Sequence, residues 1–275
     1  MKTIVLTLIL LSTCIIFDLD AQNLAEQKSK LADTYLKSGD FKNASRVYEE
    51  LHNEFPNNLN YFEGLVSSYK MMNRYSELLP YVKVFLEKNK TASVYALFGE
   101  LLWRTGSTND ANEVWEDAIS KYKKNQEVYI LISNSQVQMQ LYDKAISTLT
   151  KGRENLSNPL SFSDALSRLY IATGNYQKGL TEVLNLLSSD SNLSVAQGRI
   201  YALISTEDSQ QYILNQLKVK SEEFRDNIIY QELIAWYLRT INRLDQALDV
   251  FVNIDRIKRS NGAELIRFGE DSRRD

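Results

Sequence analysis

One histidine, one cysteine and a set of glycosylation-type triplets are the residues of this 275-residue chain whose types could carry chemistry. His52 follows Leu51 near the end of an apolar-periodic stretch, which predicts a solvated helix residue. A histidine-based triad needs a nucleophile that this histidine could serve, and no serine sits in a G-x-S-x-G elbow. There is no glycine-rich phosphate loop. Zinc requires several Cys or His ligands, and the chain has one of each. Glu49–Glu50 and Glu222–Glu223 are adjacent carboxylates, and adjacent side chains on a helix point apart. The residues therefore predict no catalytic site, no metal, no cofactor and no small-molecule substrate. The Asn-x-Ser/Thr triplets starting at Asn43, Asn89, Asn155 and Asn192 read as chance in a chain rich in Asn and Ser.

Cys14 lies inside an unusual N-terminus, "MKTIVLTLILLSTCIIFDLDAQ". A lone Lys2, an apolar run from Ile4 to Phe17 and a small residue at Ala21 form the pattern of a Sec signal peptide. The run falls short of the roughly 20 apolar residues of a membrane-spanning helix. Residues 1–21 are expected to be removed, leaving Gln22 first and a mature chain without cysteine. An uncleaved anchor is one alternative. Another is lipidation of Cys14, because "LSTC" resembles a bacterial lipobox, although Thr13 departs from its usual small residue. Once the signal peptide is removed, only lipidation of Cys14 would tie the chain to a membrane. A cysteine-free helical protein suits a bacterial periplasm, whereas exported eukaryotic proteins more often carry disulfides.

The bulk composition agrees with a helical protein that binds no nucleic acid. Three prolines and ten glycines favour long helices over a turn-rich β fold, and the net charge is −3 with signs mixed along the chain. A nucleic-acid binder usually carries a basic stripe.

The elements that would position any site are written by repetition. "YLKSGDFKNA" at 35 returns as "YKMMNRYSEL" at 69, "LWRTGSTNDA" at 102, "QVQMQLYDKA" at 136, "YIATGNYQKG" at 170 and "LRTINRLDQA" at 238. The steps are 34, 33, 34, 34 and 68 residues, and the last spans two periods. A disguised copy is therefore predicted at Ile204, "ISTEDSQQYI", where apolar residues keep register although the turn residues have gone. In the first copy Leu31, Ala32 and Tyr35 share a face of one helix, and Ala44, Tyr48 and Leu51 a face of a second. Gly39 suits a left-handed helix end, Asp40 an N-cap and Pro56 a stop. One such hairpin cannot bury its apolar face alone, so each needs a neighbour.

A 34-residue period with Leu31, Ala32, Tyr35, Gly39, Phe41, Ala44, Tyr48 and Pro56 resembles the tetratricopeptide repeat (TPR) family. Later copies keep parts of the pattern: Phe98, Gly99, Gly106, Ala111 and Trp115 in the third, Leu166, Tyr170, Gly174 and Tyr176 in the fifth. The resemblance implies an all-α, right-handed superhelical solenoid of about seven hairpins near 25–58, 59–91, 92–125, 126–159, 160–193, 194–227 and 228–261. Residues 22–261 would form the solenoid. Residues 262–275 would be the start of an eighth repeat or a capping helix, with truncation after Asp275 the preferred reading.

In that family the first helices line a concave surface that holds a peptide or a partner helix. The residue after the Tyr35 equivalent is Leu36, Lys70, Trp103, Val137, Ile171, Ser205 and Arg239 down the copies. The row is either a docking strip or packing between repeats. By register Trp115 belongs to the core, whereas Trp103 and Trp236 fall on the wall; tryptophan is enriched in binding hot spots. Ser29 and Asp33 stand where the family's carboxylate-clamp version carries Lys and Asn, which argues against a chaperone-type clamp. The partner-binding candidates are Leu36, Trp103, Val137, Ile171 and Trp236, with Arg104, Arg168 and Arg239 beside them.

The function expected is a non-enzymatic protein-interaction scaffold, exported to the periplasm or envelope of a Gram-negative bacterium. The rivals are the N-terminal recognition module of a longer envelope enzyme and an outer-membrane assembly lipoprotein.

Overall fold

The computed structural model describes residues 23–272 apart from Ser191 and Asp226. The expected signal peptide, Cys14 and the last three residues lie outside the described residues. What is described is all-α, and its helices pair into hairpins. α1 (residues 23–38) pairs with α2 (Phe41–Glu54), α3 (Leu59–Met71) with α4 (Tyr75–Lys88), and α5 (Ala92–Arg104) with α6 (Thr108–Lys121). α7 (Gln126–Gln138) is followed by α8 (Tyr142–Leu156), α9 (Ser163–Ala172) by α10 (Tyr176–Asp190), α11 (Leu193–Tyr201) by α12 (Glu207–Glu223), and α13 (Ile229–Thr240) by α14 (Leu244–Lys258). α15 (Ala263–Asp271) packs on α14.

The repeated ten-residue stretch is the helix turn. Gly39, Asn73, Gly106, Gln140, Gly174 and Asn242 all have positive φ, between 56° and 93°. The next residue in each case donates its N–H to a carbonyl five residues back: Asp40 to Tyr35, Arg74 to Tyr69, Ser107 to Leu102, Leu141 to Gln136, Asn175 to Tyr170 and Arg243 to Leu238, all at 2.8–3.0 Å. This six-to-one closure satisfies orphan carbonyls at the helix end and requires a left-handed residue. Glycine supplies it without strain, and asparagine supplies it more cheaply than most others. The sixth hairpin lacks the left-handed residue. There α11 stops at Tyr201, and α12 starts afresh after a capping box in which Thr206 and Ser209 satisfy each other's backbone N–H groups. Asp40 caps α2, its Oδ1 accepting from the Asn43 N–H at 3.2 Å.

The chain divides into two compact units, residues 1–135 and 136–275. The first has a core that includes Ala32, Tyr48, Leu51, Leu65, Leu78 and Leu101. Small residues in that core admit large ones from a neighbouring helix. A Cβ on Gly99 of α5 would stand 2.1 Å from the indole Nε1 of Trp115 on α6. Leu78 in the second hairpin stands where every other hairpin except the sixth, which has Ile213, carries alanine or glycine, and α4 packs less closely on α3 than on α5. The second unit has its own core, which includes Leu180, Leu187, Ile200, Leu217, Tyr230 and Tyr237.

Candidate functional site

The candidate binding residues lie on first helices of the repeats: α1, α5, α7, α9 and α13. In the first unit Leu36 is half-buried and packs against the core. Trp103 is also half-buried, its ring stacked on Trp115 with centroids 6.0 Å apart and planes 22° from parallel. Trp115 is 2% exposed, the core position its register implied. Arg104 is engaged within the chain: Nε donates to Glu100 Oε1 at 2.8 Å, and the guanidinium lies 4.7 Å from the Tyr75 ring centroid. The other oxygen of Glu100 accepts from Lys70 Nζ at 2.8 Å. Glu100 is only 2% exposed, so two cations hold a buried carboxylate on this wall. Asp33 accepts a 2.5 Å hydrogen bond from the Tyr48 hydroxyl; burial, helped by this carboxylate, pushes the Tyr48 pKa well above the usual phenol range.

In the second unit Val137 is half-buried beside Gln136, whose Oε1 accepts from Thr148 Oγ1 at 2.9 Å. Ile171 packs on the core and closely against Gly179, where a Cβ would stand 2.9 Å from Ile171 Cγ1. Arg168 is exposed and paired with Asp164 at 2.8 Å. Asp164 also pairs with Arg199 of α11, which reaches the Asp164 carbonyl at 2.8 Å. Arg239 of α13 pairs with Asp271 of α15 at 2.9 Å. Trp236 and Arg239 are brought together: both line a groove of ≈ 140 Å³ on the first-helix side, with Gln197 of α11 and Arg267 and Asp271 of α15. Trp236 rests partly on the core and leaves part of its ring to the groove.

Sequence reasoning missed the stitching of these walls. Lys70–Glu100, Arg199–Asp164 and Arg239–Asp271 each join the first helix of one repeat to the first helix of the next. The signal was available: opposite charges about one period apart at wall positions. His52 corrects the expectation of a solvated residue. It is 5% exposed, its ring lies 5.7 Å from Phe62, 6.2 Å from Tyr81 and 6.0 Å from Phe85, and its Nδ1 has no hydrogen-bond partner among the described residues. Burial in this aromatic setting lowers its pKa. The α2 face carrying Leu51 and His52 is wider than the register of the first copy suggested. No group of three or more His, Cys, Asp or Glu suited to a metal ion occurs among the described residues. No helix among them is long and apolar enough to cross a membrane.

Comparison with known proteins gives a family match to one hairpin. Residues 29–58 match the family model described as tetratricopeptide repeat. Similar solved structures include a thermophilic TPR protein of Thermus thermophilus, at 16% identity and a TM-score of 0.43 over 66% of this chain and 100% of that one. The C-terminal part of a TPR repeat-containing protein from Cytophaga hutchinsonii has 18% identity and a TM-score of 0.42, covering 86% and 98%. A tetratricopeptide repeat protein from Parabacteroides merdae has 13% identity and a TM-score of 0.41, covering 84% and 92%. No curated protein sequence matches.

Proposed function

We propose that the chain is a tetratricopeptide-repeat protein, a non-enzymatic scaffold of the bacterial cell envelope that holds a protein or peptide on its first-helix face. The observation that carries this reading is the groove holding Trp236. A large amphipathic ring is anchored on the core from below and bordered by Arg239, Arg267 and Asp271 above. A half-exposed aromatic with charges of both signs around it offers apolar burial for an anchor side chain and orienting contacts for its flanks. The wall ion pairs hold the first helices in fixed spacing, so binding need not order the surface first. The N-terminal pattern of Lys2, the apolar run and Ala21 supports export by the Sec route.

Two measurements test this. The mature N-terminus is expected to be Gln22 by intact mass; a lipidated Cys14 as first residue would contradict the exported soluble form. Capture of a stoichiometric protein partner from envelope extract by residues 22–275 is expected to fall at least tenfold for Trp236→Ala and to be unchanged for Lys218→Ala. Equal capture by both variants would remove the groove from the account.

A further inference from the structure

The first unit carries a second surface, on its second-helix side, with a different chemistry. α4, α5 and α6 border a groove of ≈ 460 Å³ whose floor includes Leu79, Phe98 and Val114, all half-buried. Along one edge run Asp110, Glu113 and Asp117 of α6. Their i, i+3, i+7 spacing puts the three carboxylates on one helix face, over about 10 Å of axis at 1.5 Å per residue. All three are exposed, and none has an ion-pair or hydrogen-bond partner among the described residues. The only lining base is Lys83 of α4.

The fold does not ask for this pattern. At the register of Asp110, Glu113 and Asp117 the first hairpin has Asn43, Arg46 and Glu50, the second Glu77, Pro80 and Val84, and the fourth Lys144, Ser147 and Lys151. No other repeat carries an acid at all three. Asp110 lies in the first turn of α6, where the helix dipole favours an acid, but Glu113 and Asp117 lie beyond that turn and repel each other at i, i+4. Phe98 departs as well: at its register beyond the first repeat, Leu65, Ile132, Leu166, Ile200 and Ile234 are buried, whereas Phe98 keeps part of its ring in the groove.

We propose that this groove is a docking site for a basic amphipathic helix of a partner protein, with large apolar side chains seated on Leu79, Phe98 and Val114 and Lys or Arg side chains facing Asp110, Glu113 and Asp117. Charge complementarity selects the occupant. An acidic or neutral helix would meet three uncompensated carboxylates, whereas a basic one pairs with each along a matching helical spacing. The site is separate from the Trp236 groove and does not depend on it.

The test uses residues 22–275 as bait for a displayed library of randomised helical peptides, with affinities of the enriched sequences measured by fluorescence anisotropy. The result expected is enrichment of peptides carrying at least two basic residues on one helix face beside Leu, Phe or Trp. Their binding should weaken about tenfold or more in Asp110→Asn/Glu113→Gln/Asp117→Asn and should tighten severalfold in Lys83→Glu, a gain that misfolding cannot produce. It should also weaken as salt rises, because these charges are exposed. Trp236→Ala should leave it unchanged. Enrichment of acidic or neutral peptides, no enrichment at all, or affinities indifferent to both α6 neutralisation and Lys83→Glu would overturn the proposal.

Discussion

The imidazole of His52 is buried on α2 among three aromatic rings. Its apolar surroundings, Phe62, Tyr81 and Phe85, come from two other helices, α3 and α4, so nothing in its own stretch announces them. Burial lowers the folded-state pKa below the ordinary histidine value. The folded protein then binds fewer protons than the unfolded chain in the window just under about 6.5. Stability from this site is complete above that pH and is lost as pH falls towards the folded pKa, with a slope of up to about 1.4 kcal/mol per pH unit. Urea midpoints measured between pH 7 and pH 5 should fall less steeply for His52→Phe than for the parent; equal slopes would show that His52 is not held neutral. Gly99 is the opposite case, legible in sequence as a small residue of the repeat but not as to its contact. Its missing Cβ makes room for Trp115, so Gly99→Ala should lower stability by about 2 kcal/mol or more, the usual cost of overpacking a core. Trp103→Ala should also lower the melting temperature, since its ring stacks on Trp115; the cost is about 1–2 kcal/mol. A wall position chosen purely for binding would melt unchanged.

The helix turns account for most of what the sequence made legible. A left-handed residue is needed once per hairpin, and Gly39, Gly106 and Gly174 announce it directly. Asn73 and Asn242 announce it more weakly, and Gln140 not at all, yet all three take the same conformation because the carbonyl five residues before the donor must be satisfied. Gln140 therefore carries strain that glycine would not. Gln140→Gly should stabilise the protein by about 0.5–1 kcal/mol in thermal melts, and Gly106→Ala should destabilise it by about 1 kcal/mol. The sixth hairpin is where the pattern broke and the structure found another solution. Its capping box replaces the tight turn, so Thr206→Ala should cost about 1 kcal/mol. What periodicity could not reveal is the traffic between repeats. Lys70, Arg199 and Arg239, which pair with Glu100, Asp164 and Asp271, come from other helices about one repeat away, and only the stacking decides which of these charges meet.

At the scale of the whole molecule each unit has its own core, and each repeat packs mainly on its sequence neighbours. Stability in such an array is close to a sum of local and nearest-neighbour terms. Amide exchange in Gly99→Ala should accelerate across α4, α5 and α6 and stay unchanged in α13 and α14. Ion pairs join the first helices, while Trp236 and its charged surround remain partly open. On the proposed function the partner sits in this first-helix groove. A photo-cross-linking residue at Gln197, which lines that groove, tests it most directly when compared in cells with the same residue at exposed Lys218 on α12. A single strong adduct from position 197 and none from 218 is the predicted result. Adducts from 218 alone, or from neither, would contradict a partner seated on the first-helix wall.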